Sequence, residues 1–313
     1  MQEADVAWRP SEAVLREANW ARFIAHCGLP DYAVLAARAS ADSEWFWRAL
    51  ADWLQFRFRR PPRRMLDLTD GLAHPRWCGG GTANLYDSAV TAALERDPSR
   101  SAVVWEGEAG EERRCSYAEL DREAAALAAG LQGLGLGPGD VVGVYLPMLP
   151  ETAVAFMACA RLGCFTLPLF SGFGAEAVAQ RLALSGARAV ITADGTRRRG
   201  AAVAMKPVVD AALAGDTDVR HAVVLRHSGL KVRMEAPRDI WWHDLAAAAG
   251  EAPPPRELPA EQPVLLMYTS GTTGPPKGTV HTHCGLGIKI GQDARLTLDL
   301  KPGDRLLWPT DFG

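Results

Sequence analysis

Several absences bound this 313-residue chain before any motif is read. Six cysteines are present, Cys27, Cys78, Cys115, Cys159, Cys164 and Cys284, yet no two form a C-x-x-C pair. Zinc ribbons and thioredoxin-like redox motifs are therefore excluded. Unpaired thiols in a reducing cytoplasm are the expectation, with Cys159 and Cys164 as packing residues. No uninterrupted apolar run reaches membrane-spanning length. The N-terminus, Met1-Gln2-Glu3-Ala4-Asp5, is acidic and lacks the apolar core of a signal peptide. Positive charge is also in short supply: the net charge of −3 argues against nucleic-acid binding through bulk charge. Neither a membrane nor a nucleic acid is thus expected as a partner. At 48% hydrophobic and 23% charged residues, the chain can bury a substantial core in one large or two medium domains.

What is present is concentrated in Tyr268-Thr269-Ser270-Gly271-Thr272-Thr273-Gly274-Pro275-Pro276-Lys277-Gly278, directly after the apolar run Val264-Leu265-Leu266-Met267. Glycines let backbone N–H groups approach an anion closely. Hydroxyls add donors and a lysine adds a point charge. Such a loop leaving a strand is built to hold a polyphosphate. It is not a Walker A loop, because Gly278 rather than Ser or Thr follows Lys277. Nor does it contain the dinucleotide pattern G-x-G-x-x-G.

Around this loop the pattern alternates. Strands are expected at 102–105, 140–146, 164–169, 187–192 and 222–225. Helices are expected at 117–134 (capped by Ser116), 151–162, 175–184 and 202–214. Strands separated by helices mean crossover units and a mainly parallel sheet, so the fold class is α/β with helices flanking the sheet. Residues 1–100 differ. They are rich in tryptophan, and Trp45, Phe46, Ala49, Leu50, Trp53 and Leu54 fall on one face of a helix that Asp42 or Ser43 can cap. The division expected is a tryptophan-rich helical segment, 1–100, followed by the nucleotide-binding region, 101–313. The run Phe56-Arg57-Phe58-Arg59-Arg60 reads as an alternating edge strand, since no longer basic patch supports a nucleic-acid or membrane surface.

The loop resembles, almost letter for letter, the pattern [YL]-T-S-G-[ST]-T-G-x-P-K-G of the adenylate-forming synthetases. These include acyl-CoA synthetases, luciferases and peptide-synthetase adenylation domains. The likeness extends further. Trp77-Cys78-Gly79-Gly80-Gly81-Thr82-Ala83-Asn84 is similar to the W-F-x-G-G-x-x-N segment of acetyl-CoA-synthetase-type enzymes, with Cys78 in place of the aromatic. Ser116-Tyr117-Ala118-Glu119-Leu120, Phe170-Ser171-Gly172-Phe173-Gly174-Ala175-Glu176-Ala177, and the segments 190–194, 281–285 and 308–313 resemble the same group.

The resemblance implies a large-domain synthetase fold and a two-step ligase. A carboxylate attacks the α-phosphorus of ATP, pyrophosphate leaves, and the thiol of coenzyme A takes the acyl group. ATP, Mg²⁺ and coenzyme A are the implied cofactors, and a short-chain carboxylate is the implied substrate. Thr269, Ser270, Gly271, Thr272, Thr273, Gly274, Lys277 and Gly278 are the implied phosphate-binding residues. His281, Thr282, Thr310 and Asp311 are the implied acyl and nucleotide cleft. No metal ligand is assigned, because His281, His283 and Cys284 lie close together with no distant fourth ligand. The family's coenzyme A motif R-x-G-R meets Arg198-Arg199-Gly200-Ala201 here. Arg198 is a coenzyme A contact on that alignment and a solvated helix-start arginine on the alternative, because Ala201 stands where the second arginine belongs.

The family's adenine motif, ribose-binding aspartate and catalytic lysine lie beyond Gly313 in the pattern. No catalytic residue is therefore assigned, and a missing C-terminal half is an expected partner. The expectation is an N-terminal portion of an acyl-CoA synthetase, inactive alone, with an exposed sheet edge. An adenylating enzyme with another thiol acceptor and a non-catalytic nucleotide-binding remnant are the alternatives.

Overall fold

The computed structural model describes residues 9–269 and 276–313. Its centre is a seven-stranded sheet. Across the sheet the strands run Asp239–Trp241, His221–Leu225, Ala189–Ala193, Val141–Tyr145, Phe165–Pro168, Pro263–Thr269 and Lys277–Thr282. Every pairing is parallel except the last, between Pro263–Thr269 and Lys277–Thr282. The α/β fold with a mainly parallel sheet flanked by helices is therefore observed.

The central strands are unbroken apolar runs because both faces are covered. Val141–Tyr145 and Ala189–Ala193 are buried at every position. Their helices carry local start and stop signals. Ser116 and Glu119 form a reciprocal capping box on Tyr117–Gly133. Pro150 opens Pro150–Leu162, and Gly163 closes it at φ 81°, a left-handed conformation that glycine adopts without steric cost. Cys159 and Cys164 pack in this core, and burial pushes both thiols upward, Cys159 to about 12.

The tryptophan-rich segment forms helices Asn19–His26, Tyr32–Ala41 and Ser43–Trp53. Asp42 caps the last by accepting the Trp45 N–H at 2.9 Å. Phe23, Leu35 and Leu50 form a second core that closes against Cys284 and Ile288 of helix His283–Gln292. The segment 77–84 is a joint of this interface. Trp77 stacks edge-on against Trp47, and Asn84 donates to the carbonyls of Ala160 (2.9 Å) and Arg256 (3.0 Å). The edge strand read in 56–60 is present as Phe58–Arg60, paired with Thr82–Ala83.

Three expectations need correction. The strand at 102–105 lies outside the main sheet; Ser101–Glu106 pairs only with Glu112–Ser116. The helix expected at 202–214 begins at Lys206, because 201–204 instead pairs antiparallel with Gly195–Arg198. Arg199 and Gly200 turn this hairpin at φ 52° and 76°, the paired positive values of a tight primed turn. The cysteines are not all unpaired. Cys78 and Cys284, 206 positions apart, form a disulfide, while Cys27, Cys115, Cys159 and Cys164 are free.

Candidate nucleotide and acyl site

The hairpin at the sheet edge sets out the first group of residues. Antiparallel register places Thr269 opposite Lys277, Tyr268 opposite Gly278 and Met267 opposite Thr279. The Thr269 hydroxyl donates to the Lys277 carbonyl at 3.4 Å. Both strands thus converge on the glycine-and-hydroxyl loop, of which Ser270, Gly271, Thr272, Thr273 and Gly274 lie outside the described residues. Residues 277–280 are exposed, and among the described residues no carboxylate pairs with the Lys277 ammonium. An exposed cation, a hydroxyl and adjoining backbone N–H groups suit a polyphosphate. No cluster of three or more His, Cys, Asp or Glu side chains that could hold a metal occurs among the described residues.

At the base of the hairpin the chain turns directly into helix His283–Gln292. Thr282 is its cap, accepting the Gly285 N–H at 3.0 Å. That hydroxyl therefore has a structural task in addition to any role in the cleft. His281 is half-buried and paired with Leu265 across the hairpin. His283 is fully buried, with Nδ1 accepting the Leu85 N–H at 3.0 Å. Burial lowers its pKa to about 4, so the ring stays neutral.

The second group gathers at the carboxyl ends of the neighbouring strands. Arg198 donates to the Ser171 hydroxyl at 2.8 Å, and that hydroxyl donates to Asp311 Oδ2 at 2.5 Å. The Ser171 and Gly313 N–H groups reach Asp311 Oδ1 at 3.2 Å. Arg198 and Asp311 are thus tied through Ser171. Phe170 and Phe173 stack edge-on around this chain, with Arg198 over Phe170 and Arg181 over Phe173. The Tyr145 hydroxyl holds the segment by donating to the Phe173 carbonyl at 2.8 Å. A Cβ at Gly172 would lie 2.5 Å from the Phe170 ring, so a larger residue there displaces that ring. Thr310 is exposed, and Phe312 stacks edge-on against Phe156.

Arg198 lies on a strand rather than at a helix start. Glu108 fixes its hairpin by accepting the Arg199 and Gly200 N–H groups at 2.9 and 3.0 Å. Those two N–H groups hold the Glu108 carboxyl below its ordinary range. Sequence reasoning missed Ser171 as a bridge and Glu108 as an anchor. Ser171 was visible within the quoted F-x-G-F segment, whereas Glu108 carried no local signal. Cys78 and Cys284 also escaped pairing, since no spacing rule links positions so far apart.

A protein-family model described as AMP-binding enzyme matches residues 90–313. The chain belongs to this family. A second model, acetyl-coenzyme A synthetase N-terminus, matches residues 32–89. Among curated relatives, the acetyl-coenzyme A synthetase of Chlorobaculum tepidum is 36% identical over 286 residues, covering 91% of this chain and 43% of that protein. That of Escherichia coli strain K12 is 41% identical over 241 residues, covering 76% of this chain and 37% of that protein. Among solved structures, acetoacetyl-CoA synthetase from Streptomyces lividans superimposes with a TM-score of 0.88 at 31% identity, over 98% of this chain and 48% of that one. This AMP-binding chain therefore spans less than half the length of these relatives.

Proposed function

We propose that this chain supplies the polyphosphate-binding edge of an AMP-forming acyl-CoA synthetase acting on a short-chain carboxylate. The observation that carries the reading is the register of the edge hairpin, which sets exposed Lys277 beside Thr269 at both ends of one glycine-and-hydroxyl loop. In the first step, negative charge grows on the β- and γ-phosphates as pyrophosphate leaves. Thr269, Lys277, the Gly278 N–H and the loop residues Ser270, Gly271, Thr272, Thr273 and Gly274 would offset that charge. Such transfer relies on positioning and electrostatics, which a rigid hairpin base provides. Mg²⁺, when bound with the nucleotide, would neutralise part of the phosphate charge.

Asp311, Thr310, His281 and Thr282 form the acyl and nucleotide side in this reading. Arg198 is assigned to coenzyme A, whose phosphates an exposed guanidinium suits. Its tie to Asp311 through Ser171 gives the two half-reactions a common structural element. Localisation in the cytoplasm, where ATP and coenzyme A are available, fits this activity.

The test is ATP binding by the chain, measured by calorimetry, beside carboxylate-dependent ATP–pyrophosphate exchange in a version extended to the full length of its relatives. Lys277→Ala is expected to weaken ATP at least about tenfold, the value of one charge-assisted contact. Unchanged ATP affinity in Lys277→Ala overturns the assignment. Exchange compared across acetate, propionate, butyrate and acetoacetate ranks the acids. Arg198→Ala is expected to raise the KM for coenzyme A and leave exchange intact. A second reading, a nucleotide-binding chain without catalysis of its own, needs no more than the exposed Thr269 and Lys277 of the edge hairpin. Robust exchange by the isolated 313-residue chain would eliminate that second reading.

A further inference from the structure

A cavity of about 370 Å³ lies where Leu54–Phe56, helix Pro150–Leu162 and helix His283–Gln292 meet. None of the hairpin residues discussed above lines it. Its size falls at the lower end of the roughly 300–1,000 Å³ typical of small-molecule sites. Phe56, Leu85, Phe156, Met157 and Leu286 make most of its wall apolar.

Three observations give the apolar space a chemical preference. First, Arg96 and Arg295 both line it, and no acidic side chain does. Second, Arg295 carries a buried polar atom, Nε, with no hydrogen-bond partner among the described residues, which marks strain in how its charge is held. Burial and the charges of Arg22 and Arg96 weigh against its cationic form, with only Asp299 acting the other way. Arg295 lies over the Trp53 ring at 5.2 Å, and Arg96 donates to Gln55 at 2.5 Å. Third, both π-helical turns among the described residues border this space. Asp87–Thr91 contributes Ser88 and Ala89, and Asp293–Thr297 contributes Arg295. Single π-turns are rare and occur frequently at functional sites.

We propose that this cavity is a binding site for a medium-chain carboxylate, its alkyl chain against Phe56, Phe156 and Met157 and its carboxylate between Arg96 and Arg295. A carboxylate offsets the positive charge of two guanidinium groups on a wall that carries no acidic side chain. The apolar walls require a tail that acetate does not have. This inference does not depend on the nucleotide assignment.

Calorimetry on the 313-residue protein with octanoate, octan-1-ol and acetate tests it. Octanoate is expected to bind one to one, at least about tenfold tighter than octan-1-ol, with acetate undetected. Arg295→Gln and Arg96→Gln are each expected to weaken octanoate about tenfold and leave octan-1-ol unchanged. Arg198→Ala is expected to leave octanoate binding unchanged; its loss there would instead put the ligand beside Asp311 and overturn the proposal. Absence of octanoate binding, equal affinity for octanoate and octan-1-ol, or full octanoate affinity in both glutamine variants would also overturn it. Should Arg295→Gln fail to fold, exposed Arg96 still permits the comparison, and retained octanoate affinity in Arg96→Gln then decides against the site.

Discussion

Two strands of one sheet, one interior and one at the edge, are put to opposite uses. At Ala189–Ala193 every residue is buried, and the strand runs directly into Asp194, itself 1% exposed. The Asp194 carboxylate accepts N–H groups from Gly195, His227 and Ser228 at Oδ1 and from Gly229 at Oδ2, all within 2.9 Å. Burial pushes this carboxyl upward, but the N–H groups of Ser228, His227 and Gly195 outweigh it and hold it below its ordinary range. The carboxyl end of that strand is closed by the protein's own anion. At the Lys277–Thr282 edge no such plug occurs among the described residues, and the strand is exposed over its first four positions. One strand meets an anion supplied by the protein itself, and the other carries an exposed lysine, Lys277, that no carboxylate pairs with among the described residues.

The largest expected effect comes from breaking the closed end. Asp194→Ala leaves one buried and three part-buried N–H groups without their acceptor and is expected to cost about 3 kcal/mol of stability, read by urea denaturation. A loss under about 1 kcal/mol would show that water replaces the carboxylate. Protonation at the base of the open edge ranks next. His283 has a folded pKa of about 4 against an ordinary 6.5. The unfolded chain takes up this proton first as pH falls. The stability is therefore fully present above about pH 6.5 and is lost as pH falls toward 4, in total about 3 kcal/mol. His283→Asn, whose amide oxygen can still accept the Leu85 N–H, should flatten that part of the stability–pH profile. A profile with the same slope in both proteins would assign the effect elsewhere.

Smaller effects sharpen the comparison. Arg198→Ala removes one part-buried hydrogen bond to Ser171 and is expected to cost about 1 kcal/mol. Its consequence should appear in coenzyme A use rather than in folding. Lys277→Ala is expected to change stability by no more than about 0.5 kcal/mol, since it touches only the exposed edge. A clear destabilisation there would mean that Lys277 is bound up in the fold and not kept for a ligand.

Legibility in the sequence followed locality. Ser116 and Glu119 sit three residues apart and form the cap that their spacing announces. The strands expected at 140–146 and 187–192 are present as the buried Val141–Tyr145 and Ala189–Ala193. The Arg197–Ala204 region was misread because alanines at 201, 202 and 204 favour a helix by propensity. The turn at Arg199-Gly200, fixed by Glu108 from 91 positions away, overrode that preference. The candidate site shows the same split. Thr269 and Lys277 were visible within one motif, whereas the chain from Arg198 through Ser171 to Asp311 draws on three separate segments.

The sequence alone determined the α/β class, the mainly parallel sheet and the helix caps, because periodicity, capping and backbone freedom are properties of neighbouring residues. Only the tertiary structure decided which strand became the exposed edge and which arginine met which carboxylate. It also decided which two cysteines joined, and that Arg96 and Arg295 would share one apolar cavity. Those outcomes depend on packing between residues tens to hundreds of positions apart, and no local pattern encodes such encounters.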